Sequence, residues 1–322
     1  MANHLPWENK SSVSEFILLG FSTRPQTQRF LFALFLILYL MIVLGNGLII
    51  NLIRIDSRLH TPMYFFLANL SFLDISYSST TMPQLLIHLL LKRKTISVAG
   101  CTAQMYIFLS LGISECVLYA VMAYDRYVAI CHPLHYTIMM SKSICVKMAV
   151  GSWTCGFLFA MMHTGFTMRL PYCGPNEINH FFCEVPAILE LACADTRVNE
   201  VVDFVLGVIL LMSPLSLIVI SYVFILRAIL KIRSAEGKFK AFSTCTSHIT
   251  VVTLFYGAAM FMYMRPASSY KAERDKKFSL FYNVISALLN PCIYSLRNKE
   301  IKGALCKVFL LKIPINNWWP TV

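Results

Sequence analysis

The chain has 322 residues, of which 57% are hydrophobic and only 14% charged, and its formal net charge is +12. A chain of that balance cannot cover a soluble globule of its size with polar side chains, so a membrane protein is expected. Nucleic acid is excluded as a partner despite the charge. The basic residues lie in short runs between apolar segments, where lipid headgroups or a cytoplasmic protein would meet them.

In chain order, the first thirty residues hold Glu8, Asn9, Lys10, Glu15 and Arg24 without an apolar run suited to a cleaved signal. Insertion is therefore expected to rest on the first spanning helix. Seven segments then reach the length of about 20 apolar residues that a bilayer crossing takes. They are 30–53, with Gly45, Asn46 and Gly47; 63–90, with Asp74; 98–124, with Glu115; 148–168; 204–226, with Pro214; 241–264, with His248; and 278–296, with Asn290 and Pro291. The expected fold is an all-α seven-helix membrane bundle (30–296) between an N-terminal tail (1–29) and a short C-terminal segment (297–322).

Residues 299–311 place Ile301, Leu305, Val308 and Leu311 on one face and Lys302 and Lys307 elsewhere, as in an amphipathic helix lying on the inner leaflet. Cys306 on that helix is a candidate for palmitoylation, a plain buried thiol being the alternative. No pair of Gly/Pro-broken segments recurs in corresponding halves, which removes the main support for an inverted-repeat transporter.

An odd number of spans puts the termini on opposite sides. Of the 28 Lys and Arg residues, 15 fall on the side bearing Arg126 and 13 on the other, so positive charge does not orient the chain. Two features do. Asn9-Lys10-Ser11 is a glycosylation sequon in the tail, and Cys173, Cys183 and Cys193 crowd one loop on the same side, as expected in an oxidising compartment. The tail is expected outside the cell membrane. A second sequon at Asn69 lies within a span.

The third span ends in Met122-Ala-Tyr-Asp-Arg-Tyr-Val-Ala-Ile-Cys-His-Pro-Leu-His-Tyr136. An Asp125–Arg126 pair at the inner edge of a helix suits a two-state switch, although an isolated Asp-Arg dipeptide is equally a snorkelling arginine.

Seven spans with Asn46, Asp74, Asp125-Arg126-Tyr127, Trp153, Pro214 and Asn290-Pro291-Cys292-Ile293-Tyr294 resemble the rhodopsin-like G-protein-coupled receptors. Pro62-Met63-Tyr64-Phe65-Phe66-Leu67, the run from Met122 to Tyr136, Lys240-Ala241-Phe242-Ser243-Thr244-Cys245 with Ser247-His248, and Pro291 to Asn298 are similar to the signatures of olfactory receptors. Ala287 departs from that pattern, since many members carry proline there.

The resemblance implies disulfides Cys101–Cys183 and Cys173–Cys193. It implies a coupling switch of Asp125, Arg126, Tyr127, Tyr222, Asn290, Pro291 and Tyr294. The region 236–240, Glu-Gly-Lys-Phe-Lys, offers little of the acid that tethers the arginine in many relatives, so restraint is expected from Asp125, Tyr222 and packing. The resemblance also gathers Asn46, Asp74, Glu115 and Asn290. Their oxygen-rich set suits a hard cation such as sodium, or a hydrogen-bonded network with one acid protonated and no ion.

The ligand wall implied comprises Phe108, Leu109, Gly112, Ile113, Leu206, Leu210, Tyr256, Ala259, Met260, Tyr263 and Asn283. Such stripes are more often plain helix packing than ligand contacts, and only the resemblance lifts them above that. No acid on the outer third span would hold an amine, and no lysine in the seventh would hold retinal, so a small, mostly apolar volatile is expected, anchored by Tyr256, Tyr263 or Asn283. The partner implied is a stimulatory, olfactory-type heterotrimeric G protein that raises cyclic AMP, met by Arg227, Lys231, Arg233, Lys238, Lys240 and 132–136. No catalytic motif or organic cofactor is expected, and His180-Phe-Phe-Cys-Glu184 is a weak metal candidate once Cys183 is oxidised. The rival reading is a channel or transporter using Asp74 and Glu115 as an ion path.

Overall fold

The computed structural model describes residues 13–264, 271–297 and 299–312. Asn9 and the last ten residues lie outside them. The elements are β1 (Glu15–Leu18), α1 (Pro25–Ile55), α2 (Pro62–Leu90), β2 (Thr95–Ser97), α3 (Val98–Cys131), α4 (Tyr136–Met139), α5 (Lys142–Met168), β3 (Glu177–Ile178), α6 (Val185–Leu189), α7 (Arg197–Lys231), α8 (Ala235–Tyr263), α9 (Ala272–Leu280), a π turn (Phe281–Ile285), α10 (Ser286–Arg297) and α11 (Lys299–Lys312).

The seven expected spans are α1, α2, α3, α5, α7, α8 and the combined α9–α10. Most run beyond the predicted limits, because a helix continues past its apolar stretch wherever caps and polar faces allow. Proline begins α1 and α2, where its missing N–H costs nothing, while Ser97 and Ser234 cap α3 and α8 by accepting from Gly100 and Gly237.

Five of these helices are long and apolar enough to cross a bilayer on that basis alone. The second span falls short because Asn69, Asp74 and six serines and threonines from Ser71 to Thr81 dilute its apolar content. The seventh is divided by its π turn and begins in the charged run Ala272–Leu280.

Burial sorts the helices by position. α3 is the central rod and buries residues along its length, whereas α1 and α7 turn Phe30, Ile37, Leu44, Leu217, Val219 and Ile220 outward, as lipid-facing surfaces do. α3 and α5 are in close contact at Gly156, where an added Cβ would lie 2.0 Å from Ser114 Oγ. On α11, Ile301 and Ala304 are buried while Lys302 and Cys306 are exposed, in keeping with the amphipathic assignment.

The end of the bundle that carries the N-terminal segment differs from the expectation of a plain tail and loop. β1 is the middle strand of a three-stranded sheet in the order β2-β1-β3. It runs antiparallel to β2 (Phe16 opposite Ile96) and parallel to β3 (Leu18 opposite Ile178). Phe16 and Leu18 pack with Met105, Ile178, Val185 and Ile188 into a second apolar core, separate from that of the bundle. The result is a lid.

Candidate functional site

Beneath the lid lies a cavity of about 850 Å³ between α3, α5, α7 and α8. Of the expected wall, Phe108, Leu109, Gly112, Ile113, Leu210, Ala259 and Tyr263 line it. Leu206, Tyr256, Met260 and Asn283 do not. The reason on α8 is rotation. Phe255, Ala259, Met262 and Tyr263 share the face turned to the cavity, and Tyr256 instead points at α3, its hydroxyl donating to Cys116 O at 3.0 Å. On α7 the lining face carries Asp203, Phe204, Gly207, Leu210 and Leu211, which leaves Leu206 off it. Asn283 is buried lower, where its amide donates to Thr81 Oγ1 at 3.0 Å.

Sequence reasoning missed Tyr77, His163, Asp203, Phe255 and the loop residues Val185, Pro186 and Leu189. No periodic signal marks a loop that folds back, and the α5 and α7 polar residues lie outside the segments read as spans or without a visible partner.

The lid is pinned by the two disulfides, Cys101–Cys183 and Cys173–Cys193. Gln104 supports the first by accepting from Cys183 N at 2.9 Å. Phe182 then packs its ring on Phe108, 4.6 Å between centroids, so the loop touches the cavity wall directly.

His180 and Glu184 are both buried, with His180 Nε2 3.3 Å from Glu184 Oε2. Glu184 also accepts from Tyr263 at 3.2 Å and Ser279 at 3.1 Å, joining the loop to α8 and α9. Burial, with the Lys276 charge adding to it, pushes His180 down from 6.5 to about 3, so the imidazole is neutral at physiological pH.

Below the cavity runs a chain of buried polar groups. Asn290 donates to both oxygens of Asp74 at 3.0 Å, and its amide lies 3.4 Å from Tyr119 Oη, which donates to Glu115 at 2.7 Å. Tyr119 was not anticipated as the bridge between the two acids. Asn46, expected in this set, makes no hydrogen bond to these groups, and its Oδ1 is buried without a partner. Its amide donates to Ile42 O and Ala287 O, both at 3.1 Å, which spans α1 and α10.

Farther from the lid, His248 Nε2 lies 3.2 Å from Tyr119 O and His248 Nδ1 2.8 Å from Tyr222 Oη. A carbonyl only accepts, so Nε2 carries the ring proton and Nδ1 accepts from the tyrosine. The imidazole thereby ties α8 to α3 and α7.

At the end of α3 away from the lid, Asp125 and Arg126 lie close enough to interact by charge but share no hydrogen bond. Asp125 accepts from Tyr136 at 2.8 Å, while its second oxygen and Arg126 Nε have no hydrogen-bond partner. The helix places adjacent side chains about 100° apart, so α4 reaches the aspartate more readily than its neighbour does. Tyr127 bonds His132 at 2.9 Å. Tyr294 is buried with its hydroxyl unpartnered, and Pro291 sits inside α10. Glu236 is exposed at the start of α8, and among the described residues no acid there reaches Arg126.

Comparison with known proteins bears on the whole of this arrangement. The family described as olfactory receptor matches residues 35–312. Human olfactory receptor 2A1/2A42 is 55% identical over 298 residues, covering 92% of this chain and 96% of the relative. Mouse olfactory receptor 5AR1 is 52% identical over 301 residues, covering 94% and 97%. The crystal structure of squid rhodopsin superposes with a TM-score of 0.71 at 20% identity, over 90% of this chain and 83% of that one, and so speaks to the fold. With family signatures, seven-helix architecture and both disulfides in agreement, the chain belongs to the olfactory receptor family, a multi-pass membrane receptor of the G-protein-coupled build and not an enzyme.

Proposed function

We propose that this receptor takes a small, largely apolar volatile into the cavity under the lid and answers by activating a stimulatory, olfactory-type heterotrimeric G protein, raising cyclic AMP. In this reading the N-terminus is extracellular, which accords with the Cys173–Cys193 bridge on that face. The observation that carries the proposal is the placement of α8. One face of it lines the cavity through Phe255, Ala259 and Tyr263, while the same helix is held to α3 through Tyr256 and His248.

A ligand that favours a displaced α8 must gain more contact in that state than in the resting one. Displacement breaks the Tyr256–Cys116 and His248–Tyr119 bonds and swings the inner end of α8 away from Arg126. The basic surface of Arg227, Lys231, Arg233, Lys238 and Lys240, with 132–136, then meets the G protein. With no acid among the described residues at the foot of α8 within reach of Arg126, the two bonds higher in the helix carry the resting restraint.

For the interior network, the hydrogen-bonded alternative has the stronger support. Asn290 presents its donor to both Asp74 oxygens, and Tyr119 links Asn290 to Glu115, so the four groups are joined by hydrogen bonds without an ion. The test is cyclic AMP production in cells expressing the full chain against a chemically diverse odorant panel. The response should require the G protein and vanish in Arg126→Ala; an odorant-evoked current without G protein would replace this reading with that of a channel.

A further inference from the structure

The three polar groups that would anchor a ligand on the sequence reading are already engaged. Tyr256 donates to Cys116 O, Asn283 to Thr81 Oγ1 and Tyr263 to Glu184. On the opposite wall, two cavity-lining side chains are not. His163 near the outer end of α5 and Asp203 near that of α7 face each other, Nδ1 to Oδ1 at 3.1 Å, without the alignment of a hydrogen bond. His163 is 8% exposed, and Nδ1 and both Asp203 carboxylate oxygens are buried with no hydrogen-bond partner.

Neighbouring hydroxyls do not fill the gap. Tyr172 donates to Thr167 O at 3.0 Å and Thr196 to Glu200 at 2.6 Å. With the Asp203 carboxylate ionised, the proton count leaves a deficit in either histidine tautomer. If His163 Nδ1 bears the ring proton and turns it to Oδ1, Asp203 Oδ2 still lacks a donor; if Nε2 bears it, two acceptors face each other and both lack one. Unsatisfied buried acceptors are costly, and a donor arriving with a ligand relieves them.

We propose that His163 and Asp203 form the polar subsite of this cavity, and that it takes the hydrogen-bond-donating head of an aliphatic amine or alcohol. The hydrocarbon tail runs toward Phe108, Gly112 and Phe255. Glu200 lines the same side, and among the described residues no lysine or arginine lines the cavity, so a carboxylate head is disfavoured there. This assigns an acid to ligand recognition on the fifth span, where sequence reasoning had looked only to the third. It rests on the cavity being the odorant site.

The experiment is a binding measurement on the full-length receptor in lipid nanodiscs, read as the ligand-induced shift in melting temperature and as Kd. The probes are heptylamine, heptan-1-ol, heptanoic acid and heptane, which share a tail and differ in head group. Wild-type protein should bind the amine, the alcohol or both at least ~10-fold more tightly than the acid and the alkane. Asp203→Asn and His163→Phe should erase that preference, and Asp203→Lys should transfer it to heptanoic acid.

Equal binding of all four probes, or preference for the acid, would overturn the subsite while leaving the cavity as the odorant site. Failure of every probe to bind would overturn both. The head-group ranking of the wild-type protein decides the matter even if a variant does not reach the membrane.

Discussion

Tyr256 of α8 donates its hydroxyl to the main-chain oxygen of Cys116 on α3 across 3.0 Å, directly beside the face of each helix that lines the cavity. It is a clasp between the two helices that separate in the proposed mechanism. Tyr256→Phe keeps the buried ring and removes the bond. A typical net hydrogen bond contributes about 1 kcal/mol, so basal cyclic AMP at matched surface expression is expected to rise roughly 5-fold. Unchanged basal output would show the clasp to be indifferent to state.

His248 is the second tie, reaching Tyr119 O on one side and Tyr222 on the other. Tyr222→Phe and His248→Phe should each raise basal signalling. Because the two side chains share one bond, the double variant should fall short of the summed effects by about 0.5–3 kcal/mol of coupling. Additive effects in a double-mutant cycle would mean the contact does not hold the resting state.

The crossing of α3 and α5 depends on a missing side chain. At Gly156 a Cβ would lie 2.0 Å from Ser114 Oγ and 2.3 Å from Ser110 O, the latter being backbone that cannot step aside. Gly156→Ala is expected to cost about 1–3 kcal/mol or more, and cell-surface labelling should fall sharply. Gly151, on the same helix with nothing within 4 Å of an added Cβ, supplies the control: Gly151→Ala should be expressed normally.

Acid should loosen the lid. Burial, with Lys276 nearby, lowers His180 to about 3 from an ordinary value of 6.5. Between those values the unfolded chain binds a proton that the folded lid refuses, so the neutral imidazole's contribution is fully present above about pH 6.5 and is lost as pH falls toward 3. The melting temperature of purified receptor should drop between pH 7 and pH 4.5, and the drop should be smaller in His180→Gln. An identical drop in both proteins would assign the acid sensitivity elsewhere.

How far the sequence went follows from which signals are local. The long apolar runs that became α1, α3, α5, α7 and α8 were readable because a bilayer imposes length and apolarity on a single segment. On α3 all four expected lining residues, Phe108, Leu109, Gly112 and Ile113, face the cavity, since the central helix turns much of its surface to neighbours. On α8, periodicity offers several faces, and choosing among them needs the rotation that tertiary packing sets. That is why Tyr256 and Met260 were expected in place of Phe255 and Met262.

The lid was illegible for a different reason. β1 is four residues, and its partners Thr95–Ser97 and Glu177–Ile178 lie far along the chain, so neither strand carries a pattern of its own. Asp125 was paired with Arg126 by adjacency, whereas Tyr136, eleven positions on, reaches it through the turn at Pro133–His135.

The central claim is that α8 leaves its inner position when the cavity fills. Spin labels replacing the exposed Lys142 at the start of α5 and Lys238 at the start of α8 report on it directly, with the receptor in nanodiscs and an odorant that raises cyclic AMP in cells. The distance distribution should shift to longer separation on odorant saturation, and Tyr256→Phe should populate that longer distance without odorant. A distribution unmoved by saturating odorant would contradict the account.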